Sequence, residues 1–141
     1  MIRVLCDTNF LLDVVLEHRP GADSAFRLFE LIAGGRVAGA LSPTSLKDFY
    51  YIARREIAEE TRREYIDLFL DAFEIVDIGR NACRFALECD EPDFEDGLVR
   101  AAAELDDFDY IVSRDARAFL SSRVKRVSAE GLLNEFPGGV R

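Results

Sequence analysis

Short apolar runs rich in β-branched residues alternate along this chain with longer segments whose apolar residues recur at helical spacing. The short runs predict strands at 2–6, 37–41, 73–78, 109–113 and near 126–127. The periodic segments predict helices at 8–17, 22–32, 60–72, 80–88, 96–105, 115–120 and 128–135, and a further helix that begins at Ser42-Pro43. Because strands and helices alternate, we expect an α/β sandwich with a mostly parallel sheet and right-handed crossovers.

We expect a single domain over residues 1–141, because the sequence has no repeat, low-complexity segment or linker. No run approaches the roughly 20 apolar residues that span a bilayer. Asp7 and Asp13 interrupt the apolar start of the chain, so no signal peptide is expected and a cytoplasmic protein is predicted. Three cysteines, Cys6, Cys83 and Cys89, form no CxxC motif and predict buried thiols in a reducing compartment.

The net charge of −9 argues against a protein that grips nucleic acid by bulk positive charge. It does not exclude a nuclease, since metal-binding carboxylates themselves add negative charge that bound cations neutralise. The basic residues occur in groups, at 54–55, 62–63, 114–117 and 123–126. Such groups are usually solvated helix faces, and some of them are candidates for contacts with phosphate.

Four aspartates lie at positions where a catalytic or metal-binding site could form. Asp7 and Asp115 directly follow predicted strands, Asp96 begins a predicted helix, and Asp48 lies in the helix after the second strand. Each has an ordinary explanation, because aspartate caps helices and suits the positive end of the helix dipole. Ligands of open parallel sheets, however, bind beyond the carboxyl ends of the strands, where Asp7 and Asp115 should meet.

Carboxylates gathered at one edge repel one another unless a cation lies between them. Mg²⁺ fits best, because it prefers oxygen ligands and keeps several waters, whereas zinc favours histidine or cysteine. A carboxylate-held Mg²⁺ or Mn²⁺ suits phosphodiester hydrolysis by a metal-activated water. No covalent nucleophile is apparent, since Ser113 has no histidine partner and the chain has no glycine-rich phosphate loop.

Four motifs resemble the PIN-domain family of ribonucleases, particularly VapC-like toxins of bacterial toxin–antitoxin pairs. They are the strand followed by Asp7-Thr-Asn9, Ser42-x-x-Ser45-x-x-Asp48-Phe49, Asp96-Gly-Leu-Val-x-Ala-Ala, and Tyr110-Ile-Val-Ser-Arg-Asp115-x-x-x-Phe119. The resemblance runs to about Phe136. It implies a three-layer α/β/α sandwich around a mostly parallel sheet of about four to five strands.

The resemblance also implies roles for these residues. Asp7, Asp96 and Asp115 would be metal ligands, and Asp48 would be a second acidic residue that tunes the metal or its water. Thr8 and Ser113 would hold the carboxylates by hydrogen bonds, and Asn9 would add a polar contact. Two points depart from the family pattern or stay open: Asp48 is one methylene shorter than the usual glutamate, and Asp93 is an alternative ligand to Asp96.

As function, the resemblance implies a metal-dependent endoribonuclease that acts on RNA, a homodimer, and a cognate antitoxin protein that blocks the active-site groove. Aromatic residues of the second to fourth helices could serve either contact or simply form core: Phe26, Phe29, Tyr50, Tyr51, Tyr65 and Phe69. The alternative is a catalytically weak or inactive PIN-like module that binds RNA or protein. A haloacid-dehalogenase-type phosphatase is disfavoured, because such enzymes need a second aspartate where this chain has Asn9.

Overall fold

A computed structural model describes residues 1–136 and shows a sheet of five strands, all parallel. The strands are β1 (Arg3–Cys6), β2 (Ala38–Leu41), β3 (Glu74–Ile75), β4 (Tyr110–Val112) and β5 (Lys125–Val127). Their order across the sheet is β3-β2-β1-β4-β5, so the first strand of the chain is the central one.

Seven helices of the described residues flank the sheet. They are α1 (Thr8–Val15), α2 (Ala22–Ala33), α3 (Pro43–Ile52), α4 (Glu59–Ala72), α5 (Arg80–Glu88), α6 (Phe94–Leu105) and α7 (Ala129–Leu133), with a 3₁₀ turn at Ala53–Arg55. The ends of several follow local chemistry. The Ser42 side chain caps α3 with proline at its first position, and Gly34 ends α2.

The period of two along the strands divides the core into two layers. Val4 and Cys6 of β1 pack with α1 and α2 on one face, whereas Leu5 between them packs with α6 on the other. Both faces of the central strands are therefore buried, as is usual for parallel sheets. The predicted three-layer α/β/α architecture is confirmed.

The sequence predicts one or two helical turns at 115–120, and the structure has no helix there. This segment forms consecutive turns, and Phe119 within it adopts the left-handed conformation with φ of 63°. A right-handed helix cannot accommodate that conformation. The Phe119 ring is nonetheless buried, and its backbone N–H donates to the carboxylate of Glu91 at 2.9 Å.

The helices α5 and α6 approach each other closely at Gly97. A Cβ atom there would stand 3.1 Å from the carbonyl oxygen of Ala86 and 3.2 Å from its Cβ, so glycine permits the contact. Because Gly97 follows Asp96, this contact also fixes the position of that carboxylate relative to α5. No helix among residues 1–136 is both long and apolar enough to cross a membrane.

Candidate metal and catalytic site

Asp7 follows β1 at the carboxyl edge of the sheet. Its backbone N–H donates to the carbonyl of Val112 at 3.2 Å, and its Oδ1 accepts a hydrogen bond from the N–H of Phe10 at 2.9 Å. It therefore caps α1, as a lone aspartate would. Burial raises the pKa of this carboxyl; nearby Ser113, the Phe10 N–H and Arg114 oppose the rise.

Asp96 lies in the first turn of α6. The helix begins two residues earlier than predicted, at Phe94, and Asp93 is its N-cap: Oδ1 of Asp93 accepts from the N–H groups of Glu95 at 2.7 Å and Asp96 at 3.2 Å. The Asp93 carboxylate is thus engaged by its own helix. Asp96 lines the same cleft as Asp7 and Asp93 does not, so the geometry favours Asp96 of the two alternative ligands.

The pKa of Asp96 is the clearest sign that carboxylates converge here. Its pKa is raised to about 6. Burial is the largest cause, followed by the negative charges of Asp93, Glu91, Asp115 and Asp7. Carboxylates separated by most of the chain therefore act on one another at this edge. Such mutual repulsion is what a bound cation would relieve.

Asp115 opens a turn rather than the predicted helix. Its backbone N–H donates to Oγ of Ser113 at 3.1 Å, and its Oδ1 accepts from the N–H of Arg117 at 3.0 Å. Ser113 thus holds this loop through the backbone of Asp115 and not through its carboxylate. No hydrogen bond joins Thr8 to any of these carboxylates within residues 1–136.

A cleft of about 430 Å³ opens beside these groups. Its lining includes Asp7, Asp48 and Asp96, together with Thr8 and Asn9. Asp115 is outside this lining and joins the group through its effect on the pKa of Asp96. Three of the four predicted acidic residues thus share one cleft.

Asp48 reaches the cleft from the middle of α3, but it is already paired. Its Oδ1 lies 2.9 Å from Nζ of Lys47, which also lines the cleft, and this contact raises the pKa of the exposed lysine. Sequence reasoning missed Lys47. The only signal was a basic residue next to a candidate acidic one.

Asp13 is a buried acidic residue that sequence reasoning also missed as part of the site. It lines a second cavity, of about 160 Å³, together with Asp7. Its carboxylate accepts from Arg19 at 2.7 Å and from Arg114 at 2.7 and 3.0 Å, and Arg19 also donates to Asn9 at 2.9 Å. The available signal was an aspartate between Leu12 and Val14 in an otherwise apolar segment.

Arg100 connects two loops next to the site. It contacts Asp90 at 2.6 Å and Glu91 at 3.6 Å before α6, and donates to the carbonyl of Ser121 at 3.1 Å in the loop after Asp115. Glu104 accepts from the same guanidinium at 2.6 Å. The loops that precede Asp96 and follow Asp115 are therefore joined by one side chain.

The donor chemistry fits a hard cation. All the candidate ligands are carboxylate oxygens, and Mg²⁺ commonly takes one or two carboxylates and keeps water for the rest. Within residues 1–136, no three carboxylate, histidine or cysteine groups already stand close enough together to hold a metal ion. Binding would therefore draw the repelling carboxylates closer.

The six aromatic residues that were candidates for protein contacts divide into three sets, of which Tyr50 and Tyr65 form the half-buried one. Phe29 and Phe69 are buried and pack against each other edge to face, so they belong to the core. Phe26 and Tyr51 are exposed. The prediction of buried thiols holds for Cys6 but was wrong for Cys83, which is exposed.

Comparison with known proteins agrees with this geometry. A family model described as "PIN domain" matches residues 3–117. No curated protein matches the sequence of this chain.

Solved structures share the fold at low sequence identity. VapBC2 from Rickettsia felis, bound to a promoter DNA fragment, has a TM-score of 0.68 and 18% identity over 90% of this chain and 98% of its own. VapC20 from Mycobacterium tuberculosis, described as a sarcin–ricin-loop-cleaving toxin, has a TM-score of 0.67 and 14% identity over 80% and 90%. A toxin–antitoxin complex from Klebsiella pneumoniae has a TM-score of 0.65 and 17% identity over 89% and 97%.

Proposed function

Because the chain belongs to the PIN-domain family, we propose that it is a metal-dependent endoribonuclease and the toxin of a toxin–antitoxin pair. The observation that carries this proposal is the gathering of acidic side chains around Asp96, whose pKa is raised to about 6 by burial first and by the charges of its acidic neighbours second. A site that repels its own carboxylates at neutral pH is suited to a divalent cation and to a negatively charged substrate brought in by that cation.

Asp7, Asp96 and Asp115 would hold Mg²⁺ or Mn²⁺. When bound, the metal supplies an activated water and stabilises charge on the phosphoryl oxygens. The chain's own residues supply position: Asp7 is fixed by the first turn of α1, and Ser113 fixes the loop of Asp115. Lys47, at the wall of the cleft, provides a positive charge for a phosphate of the substrate.

The partners follow from the same proposal. The solved relatives include complexes of toxin with antitoxin, and we propose a cognate antitoxin for this chain and a homodimer in the cytoplasm. The exposed Phe26 and Tyr51 are available for such contacts. RNA is the proposed substrate class, in line with the RNA-loop-cleaving toxin of similar fold.

One observation favours the alternative of an inactive binding module. The Asp48 side chain is one methylene shorter than the usual glutamate, and its Oδ1 lies 2.9 Å from Nζ of Lys47, so its short reach is directed to a lysine. If this pair persists with RNA bound, activity would be low. Replacing Asp48 by glutamate restores the usual reach and is a direct test.

The experiment is cleavage of a structured RNA by purified protein with Mg²⁺ or Mn²⁺, compared with Asp7→Asn and with EDTA. We expect cleavage by the wild type, loss in both controls, weaker cleavage by Asp48→Ala and stronger cleavage by Asp48→Glu. Asp71→Asn, an exposed change elsewhere, is the matched control. Cleavage that survives both Asp7→Asn and EDTA would refute the metal mechanism, and a folded wild type that never cuts would favour the binding module.

A further inference from the structure

A third cavity, of about 420 Å³ and open to solvent, adjoins the carboxylate cleft. It is lined by Arg80, Cys83, Arg84 and Leu87 of α5 and by Phe94 at the start of α6. Phe94 also lines the carboxylate cleft, so its ring is a wall that the two spaces share. From this geometry we propose that the cavity binds the nucleotides of a single-stranded RNA next to the phosphate that is cut.

The shape of α5 explains why its four residues line one cavity. Positions 80, 83, 84 and 87 follow the spacing of three and four residues that brings side chains to one face of a helix. The close approach of α5 and α6 at Gly97 sets Phe94 beside this face. The cavity is thus built from two fixed helices and not from a loop.

The charges of this face suit phosphate. In a chain of net charge −9, Arg80 makes no salt bridge to any residue in the range 1–136. Arg84 has only an exposed pair with Glu88 at 3.7 Å, which contributes little. Two guanidinium groups on one face are therefore available for phosphate oxygens, which arginine binds well.

The apolar part of the cavity suits a base. The Phe94 side chain is 49% exposed and Leu87 is 66% exposed, although both are large apolar residues. Proteins that bind single-stranded nucleic acid combine such an aromatic platform with basic residues along the backbone path. A second copy that met this face with its own would place the same two arginines against them, so it is the poorer occupant.

The first test measures binding and not cleavage, because the inference rests on the proposed function but must be able to fail separately. A fluorescein-labelled, unstructured oligoribonucleotide is titrated with protein in Ca²⁺, and gels confirm that the RNA stays intact. We expect Phe94→Ala to weaken binding roughly 5- to 100-fold. The Arg80→Ala/Arg84→Ala variant should make the negative slope of log affinity against log salt shallower, by about 0.7 for each lost phosphate contact.

The chain offers matched controls for both variants. Leu70 is a large apolar residue, 50% exposed on α4, and Arg27 and Arg63 are exposed arginines with salt bridges of the same spacing as that of Arg84. Leu70→Ala and Arg27→Ala/Arg63→Ala should bind RNA as the wild type does. Equal losses in variants and controls, or a wild type that binds no single-stranded RNA, would overturn the inference, whereas the proposed function depends on the Asp7→Asn cleavage assay.

A second test needs no variant, because Cys83 is exposed inside the cavity. Its alkylation by iodoacetamide, followed by mass spectrometry, should slow when the oligoribonucleotide saturates the protein, while half-buried Cys89 reports any general change. Unchanged alkylation of Cys83 in the saturated complex would refute the site. Slowing that depends on protein concentration alone, without RNA, would assign the cavity to contact between copies and would also refute it.

Discussion

Asp7 serves as a helix cap and as a candidate metal ligand at once. Its Oδ1 accepts the hydrogen bond from Phe10 that begins α1, and the same carboxylate lines the cleft with Asp96. The two interpretations that the sequence leaves open for this residue are therefore compatible. An N-cap engages one carboxylate oxygen and leaves the other available. The first turn of α1 therefore fixes the position of the Asp7 carboxylate without using both of its oxygens.

The raised pKa of Asp96 predicts a specific dependence of stability on pH. Between its ordinary value of 3.8 and its folded value of about 6, the folded protein keeps a proton that the unfolded chain has released. The contribution of this group to stability therefore falls as pH rises through that window. In EDTA, we expect Asp96→Asn to be more stable than the wild type at pH 7 and to lose that advantage toward pH 4.

Urea denaturation at several pH values between 4 and 7 measures this effect. Asp71→Asn, an exposed substitution on α4, should keep the pH dependence of the wild type. If Asp96→Asn shows the same pH dependence as the wild type, the pKa of Asp96 is not raised in the folded protein.

Asp13 predicts a loss of stability. Its carboxylate, buried between Arg19 and Arg114, accepts charged hydrogen bonds from both. Asp13→Asn should cost about 1–3 kcal/mol of unfolding free energy, because hydrogen bonds to charged groups have that size. Asp23→Asn removes an exposed pair with Arg27 and should have little effect; equal losses for the two variants in urea unfolding would contradict the buried contact.

At the scale of elements, the alternation of apolar runs and helical periods was sufficient for the sheet and its layers. The helix α5 has the predicted bounds, and α4 begins one residue early. Ranges at strand ends were less accurate: β3 has only Glu74–Ile75 of the predicted 73–78, since it lies at the edge and pairs with β2 alone. Local periodicity does not report such pairing.

The segment after Asp115 shows why part of the site could not be predicted. Its sequence suits a helix, but the buried Phe119 and its hydrogen bond to Glu91 hold it in turns. These are contacts between distant parts of the chain. Asp13 and Lys47 were not assigned to the site for the same reason. The partners of Asp13 and the cleft that Lys47 lines are defined only in three dimensions.

Arg100 is the element-scale test of the site, because its guanidinium on α6 joins the loop that precedes Asp96 to the loop that follows Asp115. Arg100→Met leaves the buried carboxylate of Glu91 without its nearby cation and should cost about 3 kcal/mol. It should also weaken Mn²⁺ binding in calorimetry, because the two loops are released from each other. Arg123→Met removes an exposed arginine that also contacts Glu104 and should do neither; unchanged Mn²⁺ affinity in Arg100→Met would separate this network from the site.

At the scale of the whole molecule, the net charge of −9 and the gathered carboxylates make a prediction about metal and stability together. A ligand that binds only the folded state at ten times its dissociation constant stabilises by about 1.4 kcal/mol. For a chain of this size that is a rise of roughly 3–6 °C in melting temperature. We expect this rise with Mg²⁺ or Mn²⁺ and not with K⁺ at equal ionic strength.

The Asp7→Asn/Asp115→Asn variant provides the control for this melting experiment, because it removes two of the three proposed metal ligands. Its melting temperature should not respond to Mg²⁺. A response equal to that of the wild type would place the stabilising cation elsewhere on the acidic surface.

The parallel sheet has a further consequence for the time at which the carboxylate site is completed during synthesis. The central strand β1 is synthesised first. Its neighbour β4, which the loop of Asp115 follows, is the fourth of the five strands in chain order, so the carboxyl edge is complete only late in synthesis. A ribosome that stops before β4 releases a chain with Asp7 but without Asp115. For a protein proposed to cut RNA in the cell that makes it, unfinished copies would therefore be harmless.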